Sequence, residues 1–424
     1  MSTTDVSLYP GPLHGAIAVP GDKSISHRAL MLAAKSPDAV TVRNLNPGRD
    51  VRATVQALQA IGAEIELDGT TARVRGAVLH EPQHRIDCMN SGSTARMMLG
   101  VCTGANLRAQ FDGDDSLRRR PMEPVAAQLR AFGAHITTAN GTLPALLEGR
   151  GAPQTRRFIL VSASAQIKTA LLLAGVFSGT PVATLGDKGS RDHTERLLRY
   201  FGSDVTFDRS TVDLRSMPTR FADVDVAGDF SAAAFFIVAA TVAQGSAITL
   251  TDVGVNPSRT GLLDALVQMG ARIEIENPRE RCGEPIADIT VRSAQLHGIS
   301  VGQDLALRAI DELLVLAVAA AFARGETRIT GVQELRTKES DRLAAILRLM
   351  RAAGVPVEPL PNGLAIHGGE PRCEGALVET HGDHRTAMAA AALAAGAGGL
   401  RINDESSIEV SFPDFLPTLR KAQE

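Results

Sequence analysis

Two short segments in the C-terminal half combine carboxylates with cations. TKESDRL places Lys338, Glu339 and Arg342 within five residues, and Asp311 and Glu312 stand directly before eleven apolar residues. A carboxylate can move a proton, while neighbouring cations hold an anionic substrate. A helix-capping carboxylate at Asp311 and a salt-bridged helix start at Lys338–Arg342 are the structural alternatives. The residues alone leave both interpretations open.

In the N-terminal half, GDKSISHR brings a lysine, a serine and an arginine to the start of a predicted helix. Lys23 and Ser24 lie in the first turn, and Arg28 follows Ser24 on the same helical face. The glycine spacing of a P-loop is absent. The cluster suits a carboxylate or a phosphate, although a solvated helix cap would have the same composition.

Other segments give weaker signals of the same kind, because each candidate could equally be a cap or a surface ion pair. These candidates are Asn90, Gly92 and Arg96 in NSGSTAR, Arg120 in LRRRPM, Ser164 and Gln166 in SASAQIK, Arg191 in SRDHTE and Arg385 in GDHRTAM. We expect Pro121 to begin a helix with Arg120 beside its start, and Arg118 and Arg119 to be solvated.

The elements that carry these residues follow one pattern six times. An Ala/Leu-rich first helix leads into a short strand and then into an amphipathic second helix, with a period of about 70 residues. We expect the first helices to be capped by Ser24 and Ser26, Ser93 and Thr94, Ser164, Ser231, Asp311, and Asp383 with His384. Free N–H groups make such helix starts favourable for anions.

The chain has 424 residues, more than the roughly 250–300 that one core sustains. We therefore predict two α/β domains of three units each. The N-terminal domain spans 20–227, and the C-terminal domain combines 1–19 with 228–424, because the leftover N-terminal strands would complete it. The two crossings near 19–22 and 226–229 would form a hinge.

Composition excludes several classes of protein. A net charge of −3 provides no overall attraction to nucleic acid or to an anionic membrane. The N-terminus lacks the pattern of a signal peptide, and the apolar stretches are shorter than the ~20 residues that cross a bilayer. The four cysteines have no metal-ligand spacing. We expect a cytoplasmic protein without a metal.

The order of the motifs resembles one family along essentially the whole chain. PGDKSISHR, NSGSTAR, LRRRPM, SASAQIKTALLLAG, NPSRTG, IDELLVLAVAAAFARG, TKESDRL and GDHRTAM are similar to the motif series of 5-enolpyruvylshikimate-3-phosphate (EPSP) synthases. The resemblance implies an inside-out α/β barrel, or prism, in each domain. Its first helices would run parallel, with their N-termini facing the interdomain cleft. It also implies a monomer that uses phosphoenolpyruvate and shikimate 3-phosphate without a cofactor.

The resemblance assigns roles to particular residues. Those expected to bind shikimate 3-phosphate are Lys23, Ser24, Arg28, Ser164, Gln166, Arg191, Asp311 and Lys338. Those expected to bind phosphoenolpyruvate are Lys23, Gly92, Arg120, Gln166, Arg342 and Arg385. The reaction needs a base at the acceptor hydroxyl, assigned to Asp311, and a group that moves a proton at C3, assigned to Glu339 or Lys23.

Two residues depart from the family pattern: Glu334 stands where Asn is frequent, and Val410 where some members have Lys. SAQIK and RDHTE resemble a glyphosate-tolerant subclass, whereas Gly92 is usual in sensitive members, so the response to this inhibitor stays open.

The related UDP-N-acetylglucosamine enolpyruvyl transferases are disfavoured, because GDKSISHR and TKESDRL do not fit them and no cysteine lies in an Arg-flanked loop. A catalytically inactive repeat scaffold would not need Asp311, Glu339 and the cations.

Overall fold

The computed structural model describes residues 5–76, 78–151, 153 and 155–424, so the first four residues of the predicted 1–19 segment lie outside it. The strands are β1 (Val6–Leu8), β2 (His14–Ala18), β3 (Val40–Arg43), β4 (Glu64–Asp68), β5 (Thr71–Arg75), β6 (Ile86–Asp87), β7 (Arg108–Asp112), β8 (Ala134–Ala139), β9 (Thr142–Arg150), β10 (Arg157–Ile159), β11 (Val182–Leu185), β12 (Val205–Phe207), β13 (Thr211–Leu214), β14 (Val224–Asp225), β15 (Ala247–Gly254), β16 (Arg272–Arg281), β17 (Glu284–Arg292), β18 (Ser300–Val301), β19 (Gly325–Thr330), β20 (Val357–Leu360), β21 (Gly363–Gly368), β22 (Leu377–Val378) and β23 (Leu400–Ile402).

The helices are α1 (Lys23–Ala33), α2 (Arg49–Ala60), α3 (Gly92–Gly104), α4 (Asp115–Arg118), α5 (Glu123–Ala131), α6 (Ala165–Ser178), α7 (His193–Tyr200), α8 (Phe230–Val242), α9 (Gly261–Gln268), α10 (Gln303–Arg308), α11 (Leu313–Ala321), α12 (Arg342–Ala352), α13 (His384–Ala397) and α14 (Phe415–Gln423). Short 3-10 helices cover Gln333–Thr337 and Ser406–Val410. The predicted α/β class is confirmed. None of the helices in the described ranges is long and apolar enough to cross a membrane.

The chain divides into two compact units. Unit 1 comprises the described part of Met1–Pro20 together with Gly228–Arg279 and Pro285–Glu424, and unit 2 comprises Gly21–Ala227 and Glu280–Glu284. The segment Glu280–Glu284 differs from the predicted boundaries, which place it in the C-terminal domain. It groups with unit 2, where the Glu284 carboxylate lies 2.8 Å from Nδ1 of the buried His193 ring.

Within the described residues, each unit contains three sheets. In unit 2 the strand orders are β14-β3-β5-β4, β6-β7-β9-β8 and β10-β11-β13-β12, and each sheet begins with a parallel pair and continues antiparallel. In unit 1 the orders are β16-β17-β15-β2, β18-β19-β21-β20 and β1-β23-β22. The N-terminal strands take part in two of these, since β1 pairs antiparallel with β23 and β2 pairs parallel with β15.

For four of the six long Ala/Leu-rich helices, the residue at the N-cap differs from the one predicted from the sequence. Ser164 and Asp383 cap α6 and α13 as predicted. The capping side chains of α1, α3 and α8 lie further upstream, at Asp22, Ser91 and Asp229. The cap position of α11 is Glu312, whose side chain makes no capping bond, so Asp311 is not the cap.

Close packing of α3 on α6 depends on two glycines. A Cβ atom at Gly100 would lie 2.2 Å from the carbonyl oxygen of Ala170, and one at Gly104 would lie 2.6 Å from that of Ala174. Both obstacles are backbone atoms, which cannot rotate away as a side chain would. The two helices therefore approach closely only because these positions lack side chains, and this approach aligns their N-terminal ends.

We predict that Gly100→Ala lowers the free energy of unfolding by about 1–3 kcal/mol, since overpacking at a backbone contact outweighs the gain in helix propensity. The matched control is Gly302→Ala, because a Cβ atom there meets nothing within 4 Å. Urea unfolding followed by circular dichroism measures both variants. Equal stability of the two variants would contradict the role assigned to the glycine contact.

Candidate active site

The residues predicted to act on substrates divide between the two units. Those in unit 2 are Lys23, Ser24, Arg28, Gly92, Arg120, Ser164, Gln166 and Arg191. Those in unit 1 are Asp311, Lys338, Glu339, Arg342 and Arg385. Each set is assembled from the starts of several helices and from the segments that lead into them.

The first residue of α1 is a lysine held by a carboxylate. The Lys23 ammonium lies 2.7 Å from Oδ2 of Asp50, in the first turn of α2. The side chain of Lys23 is 14% exposed and that of Asp50 is 8% exposed, so the pair lies largely away from water. The Asp50 carbonyl also accepts a hydrogen bond of 3.3 Å from Thr94 on α3. Asp50 thus links the starts of three helices.

Arg28, also on α1, is buried and held in a fixed orientation. It donates from Nη1 to the Ser24 carbonyl at 2.8 Å and from Nε to the Thr194 hydroxyl at 2.8 Å. Burial is the main reason that the pKa of Arg28 falls to about 10, and the nearby charge of Glu195 partly offsets it. The guanidinium is therefore still charged at neutral pH. Nη1 of Arg191 lies 3.5 Å from the Ser24 hydroxyl, which brings this second cation to the same helix start.

The starts of α3 and α6 form a second part of the unit 2 site. Arg96 donates to Oε1 of Gln166 at 2.7 Å, and Gln166 donates to the Ser93 hydroxyl at 3.0 Å. A Cβ atom at Gly92 would lie 2.8 Å from Nη1 of Arg96 and 3.5 Å from Nη1 of Arg120. The backbone of Gly92 is therefore flanked by two guanidinium groups.

Arg120 is buried, but the helix predicted beside it begins later in the chain. α5 starts at Glu123 and carries Pro124, not Pro121, in its first turn. Arg120 is instead held by Asn90, to whose side-chain oxygen it donates at 2.5 Å. Arg118 and Arg119 are exposed, as expected, and Arg118 also donates to the buried Asp112 carboxylate at 2.7 and 2.8 Å.

In unit 1 the central cation is Arg342, whose side chain is only 1% exposed. It pairs with three carboxylates: Asp383 at 3.0 Å, Glu339 at 2.6 Å and Asp311 at 3.3 Å. Burial alone would lower the pKa of Arg342, but these negative charges outweigh burial and raise it. The guanidinium therefore stays charged and uses three of its five N–H groups on carboxylates.

Asp311 lies between two arginines. Its carboxylate is 3.3 Å from Arg342 and 3.9 Å from Nη2 of Arg385, and its backbone carbonyl accepts a hydrogen bond of 2.7 Å from Arg385. The carboxylate side chain is 19% exposed, whereas that of Arg342 is almost completely buried. Asp311 is thus more accessible than Arg342, and Glu339, whose side chain is 20% exposed, is as accessible as Asp311.

Arg385 contacts a group of buried polar side chains that includes Ser231 and Glu312. Glu312 accepts a short hydrogen bond from the Ser231 hydroxyl and lies 3.7 Å from Arg385. Arg259 donates to the same hydroxyl at 2.7 Å and to Asp229 at 3.2 Å. The side chains of Arg259 and Glu312 are 3% and 1% exposed, so each buried charge needs its partner, Asp229 for Arg259 and Arg385 for Glu312.

The structure separates Lys338 from the helix on which the sequence places it. α12 begins at Arg342, and Lys338 lies in extended conformation after the preceding 3-10 helix. The two residues therefore do not share a helical face. The Lys338 ammonium pairs with Glu334 at 2.5 Å, and the Glu334 side chain is 54% exposed.

Sequence reasoning missed several charged partners in these clusters. The missed residues are Asp50, which pairs with Lys23, Glu195, whose charge lies near Arg28, and the pairing role of Asp383. Only Asp383 gave a signal, as a predicted cap, because the others lie far along the chain from the groups that they hold. No group of three or more potential metal ligands is found within the described ranges.

We predict that Asp383→Asn lowers the free energy of unfolding by about 3 kcal/mol at pH 7, because the buried Arg342 loses one counter-charge while the cap is retained. Burial alone would raise the pKa of Asp383, but Arg342 outweighs burial and lowers it. The folded-state pKa thus lies below the unfolded value of about 3.9. The stabilisation is complete above that value and is lost as the pH falls below it.

Urea unfolding of the wild type and of Asp383→Asn between pH 7 and pH 3 tests this prediction. The difference between the two should be constant down to about pH 5 and shrink toward pH 3. Glu370→Gln is the matched control, since the Glu370 side chain is 91% exposed. A difference that grows in acid would contradict the assigned pairing.

Comparison with known proteins places the whole chain in one family. The model of the family "EPSP synthase (3-phosphoshikimate 1-carboxyvinyltransferase)" matches residues 9–419. The 3-phosphoshikimate 1-carboxyvinyltransferase of Desulforudis audaxviator is 46% identical over 414 residues, covering 96% of both chains, and that of Gloeobacter violaceus is 46% identical over 424 residues, covering 97% of both. The solved EPSP synthase of Acinetobacter baumannii superposes with a TM-score of 0.85 at 35% identity, over 99% of this chain and 98% of that one. The chain belongs to the EPSP synthase family.

Proposed function

We propose that this protein transfers the enolpyruvyl group of phosphoenolpyruvate to the 5-hydroxyl of shikimate 3-phosphate and releases inorganic phosphate. The observation that carries the proposal is the placement of Asp311 between Arg342 and Arg385, with Glu339 paired to the same Arg342. This arrangement occurs in a chain that matches the family from residue 9 to residue 419. The reaction belongs to the shikimate pathway of aromatic amino-acid biosynthesis.

The chemistry proceeds in two stages. The 5-hydroxyl oxygen bonds to C2 of phosphoenolpyruvate as the hydroxyl proton leaves and C3 gains a proton, which gives a tetrahedral ketal. The C2–phosphate bond then breaks and C3 loses a proton, which restores the double bond. Asp311 is the proposed base at the hydroxyl, and Glu339 or Lys23 moves the proton at C3.

The cations bind the charges of the substrates. We assign phosphoenolpyruvate to Lys23, Gly92, Arg120, Gln166, Arg342 and Arg385. We assign shikimate 3-phosphate to Lys23, Ser24, Arg28, Ser164, Gln166, Arg191, Asp311 and Lys338. The hydrogen bonds that already orient Arg28, Arg120 and Arg342 support this assignment, because a preorganised donor stabilises developing charge without further rearrangement.

We further propose that each unit is an inside-out α/β prism whose first helices run parallel, with their N-termini toward the substrates. Mutual contacts among α8, α11 and α13, and of α3 with α1 and α6, support this arrangement. Apart from Glu280–Glu284, which groups with unit 2, we retain the domains 20–227 and 1–19 with 228–424, hinged near 19–22 and 226–229. The compact grouping of Gly21–Ala227 supports these boundaries.

The purified protein should release inorganic phosphate from phosphoenolpyruvate only when shikimate 3-phosphate is present, because the leaving phosphate departs from the ketal. A colorimetric phosphate assay with each substrate alone and with both measures this. UDP-N-acetylglucosamine replaces the acceptor as the negative control. Phosphate release with UDP-N-acetylglucosamine and none with shikimate 3-phosphate would overturn the proposal.

Asp311→Asn should lower kcat by about 10²–10⁴, because Asn keeps the size of the side chain but cannot accept the hydroxyl proton. Binding of shikimate 3-phosphate should stay near the wild type, whereas the melting temperature should fall, because the buried Arg342 loses one of its three counter-charges. Steady-state kinetics, calorimetric titration and thermal unfolding provide the three readouts. Asp115→Asn is the matched control, since that side chain is 90% exposed. Near-wild-type turnover of Asp311→Asn would move the role of base to Glu339.

A further inference from the structure

A second buried ion cluster in unit 2 contacts none of the atoms that the proposed chemistry uses. Lys168 lies on α6, four residues after Ser164, and its side chain is only 2% exposed. Its ammonium is 2.7 Å from Asp187 and 2.8 Å from Glu195, whose side chains are 2% and 1% exposed. Burial alone would lower the pKa of Lys168, but Glu195 and Asp187 raise it, so the ammonium stays charged at neutral pH.

Stability does not account for this cluster. Withdrawing three charges from water costs free energy that their mutual attraction barely returns, and apolar residues of the same volume commonly serve a core at least as well. A buried ion cluster does, however, impose a specific geometry on the segments that carry its members. Lys168 therefore fixes the relative positions of the segments that carry Asp187 and Glu195.

One of these segments is the loop that leads from β11 to α7. Asp187 receives hydrogen bonds from both the backbone N–H and the hydroxyl of Ser190, at 3.1 and 2.8 Å. Lys168 itself donates to the Ser190 carbonyl at 3.4 Å. Ser190 is followed directly by Arg191, whose guanidinium lies 3.5 Å from the Ser24 hydroxyl. The ammonium of Lys168 thus fixes the loop at the residue before Arg191.

The other carboxylate connects Lys168 to Arg28. Glu195 follows Thr194, and Lys168 precedes Thr169; both threonine hydroxyls accept hydrogen bonds from Arg28, at 2.8 and 3.0 Å. The two hydroxyls are also 2.6 Å apart. Two positive charges, Lys168 and Arg28, therefore balance two negative charges, Asp187 and Glu195, beneath the start of α1.

We propose that Lys168 is a positioning residue for shikimate 3-phosphate, because it holds the Asp187–Arg191 loop so that Arg191 faces Ser24. This inference rests on the proposed function, which assigns Ser24, Arg28 and Arg191 to that substrate. Lys168 touches no substrate and acts through Arg191. Its loss should therefore weaken binding of shikimate 3-phosphate selectively, without altering the groups that bind phosphoenolpyruvate.

The test is Lys168→Met, which keeps the length of the side chain and removes the charge. Calorimetric titration with shikimate 3-phosphate should show a Kd about tenfold higher or more, as for a lost charge-assisted contact. The KM for phosphoenolpyruvate should stay within about twofold of the wild type. Because the effect passes through Arg191, Lys168→Met combined with Arg191→Ala should bind no more weakly than Arg191→Ala alone.

Two further variants separate positioning from a general loss of stability. Val74→Ala, at a fully buried residue of β5, lowers stability elsewhere in unit 2 and should leave both substrates unaffected at temperatures below its unfolding transition. Asp187→Ala removes both hydrogen bonds from Ser190 while leaving Lys168 paired with Glu195, and it decides the question if Lys168→Met does not fold. It should raise the Kd for shikimate 3-phosphate in the same way.

An unchanged Kd in the folded variant, equal losses for both substrates, or additive effects of Lys168→Met and Arg191→Ala would each overturn the inference. These outcomes are distinct from failure of the proposed function. If the proposed function is wrong, the wild type itself would release no phosphate from phosphoenolpyruvate in the presence of shikimate 3-phosphate. A wild type that turns over, alongside a Lys168→Met variant that binds normally, would refute the positioning role alone.

Discussion

Arg342 is almost completely withdrawn from water, and three carboxylates from different parts of the chain surround it. A buried guanidinium with an unmatched charge would cost several kcal/mol, so the segments that carry these carboxylates must stay in place together. They are the residue before the cap of α11, the turn before α12 and the cap of α13. The position of Asp311 in the fold therefore depends on the charge balance of a neighbouring arginine.

The same constraint operates in unit 2 with different residues. Lys23 is balanced by Asp50, and the pair Lys168 and Arg28 is balanced by Asp187 and Glu195. Each carboxylate holds a cation in one orientation before any anion approaches. An anionic substrate then meets donors that need little rearrangement, and the low local dielectric strengthens each contact. Burying these charges costs stability, and the resulting ion pairs fix the orientation of the cations.

Features that depend on neighbouring residues could be predicted from the sequence. The position of Lys23 at the start of α1 and the proximity of Glu339 to Arg342 follow from local spacing, and the structure shows both. The predicted capping residues of α3, Ser93 and Thr94, were wrong. Ser91 lies within four residues of both, and composition does not show which of the three caps the helix. Asp50, the partner of Lys23, lies 27 residues along the chain, and Asp383, the most deeply buried partner of Arg342, lies 41 residues along. Such pairs are decided by the packing of helices, which the periodicity of the sequence does not encode.

The departure at Glu334 acquires a physical meaning in the structure. Its carboxylate is paired with Lys338, which we propose to bind shikimate 3-phosphate, so this position places a negative charge beside that cation. The Glu334 side chain is 54% exposed, and pairs of this kind contribute only about 0–1 kcal/mol. A phosphate with several negative charges can displace such a partner, whereas it could not displace Asp383, which is 0% exposed and pairs with Arg342. The Lys338–Glu334 pair therefore orients Lys338 and still leaves its ammonium available to an anion, while Asp383 stays paired with Arg342.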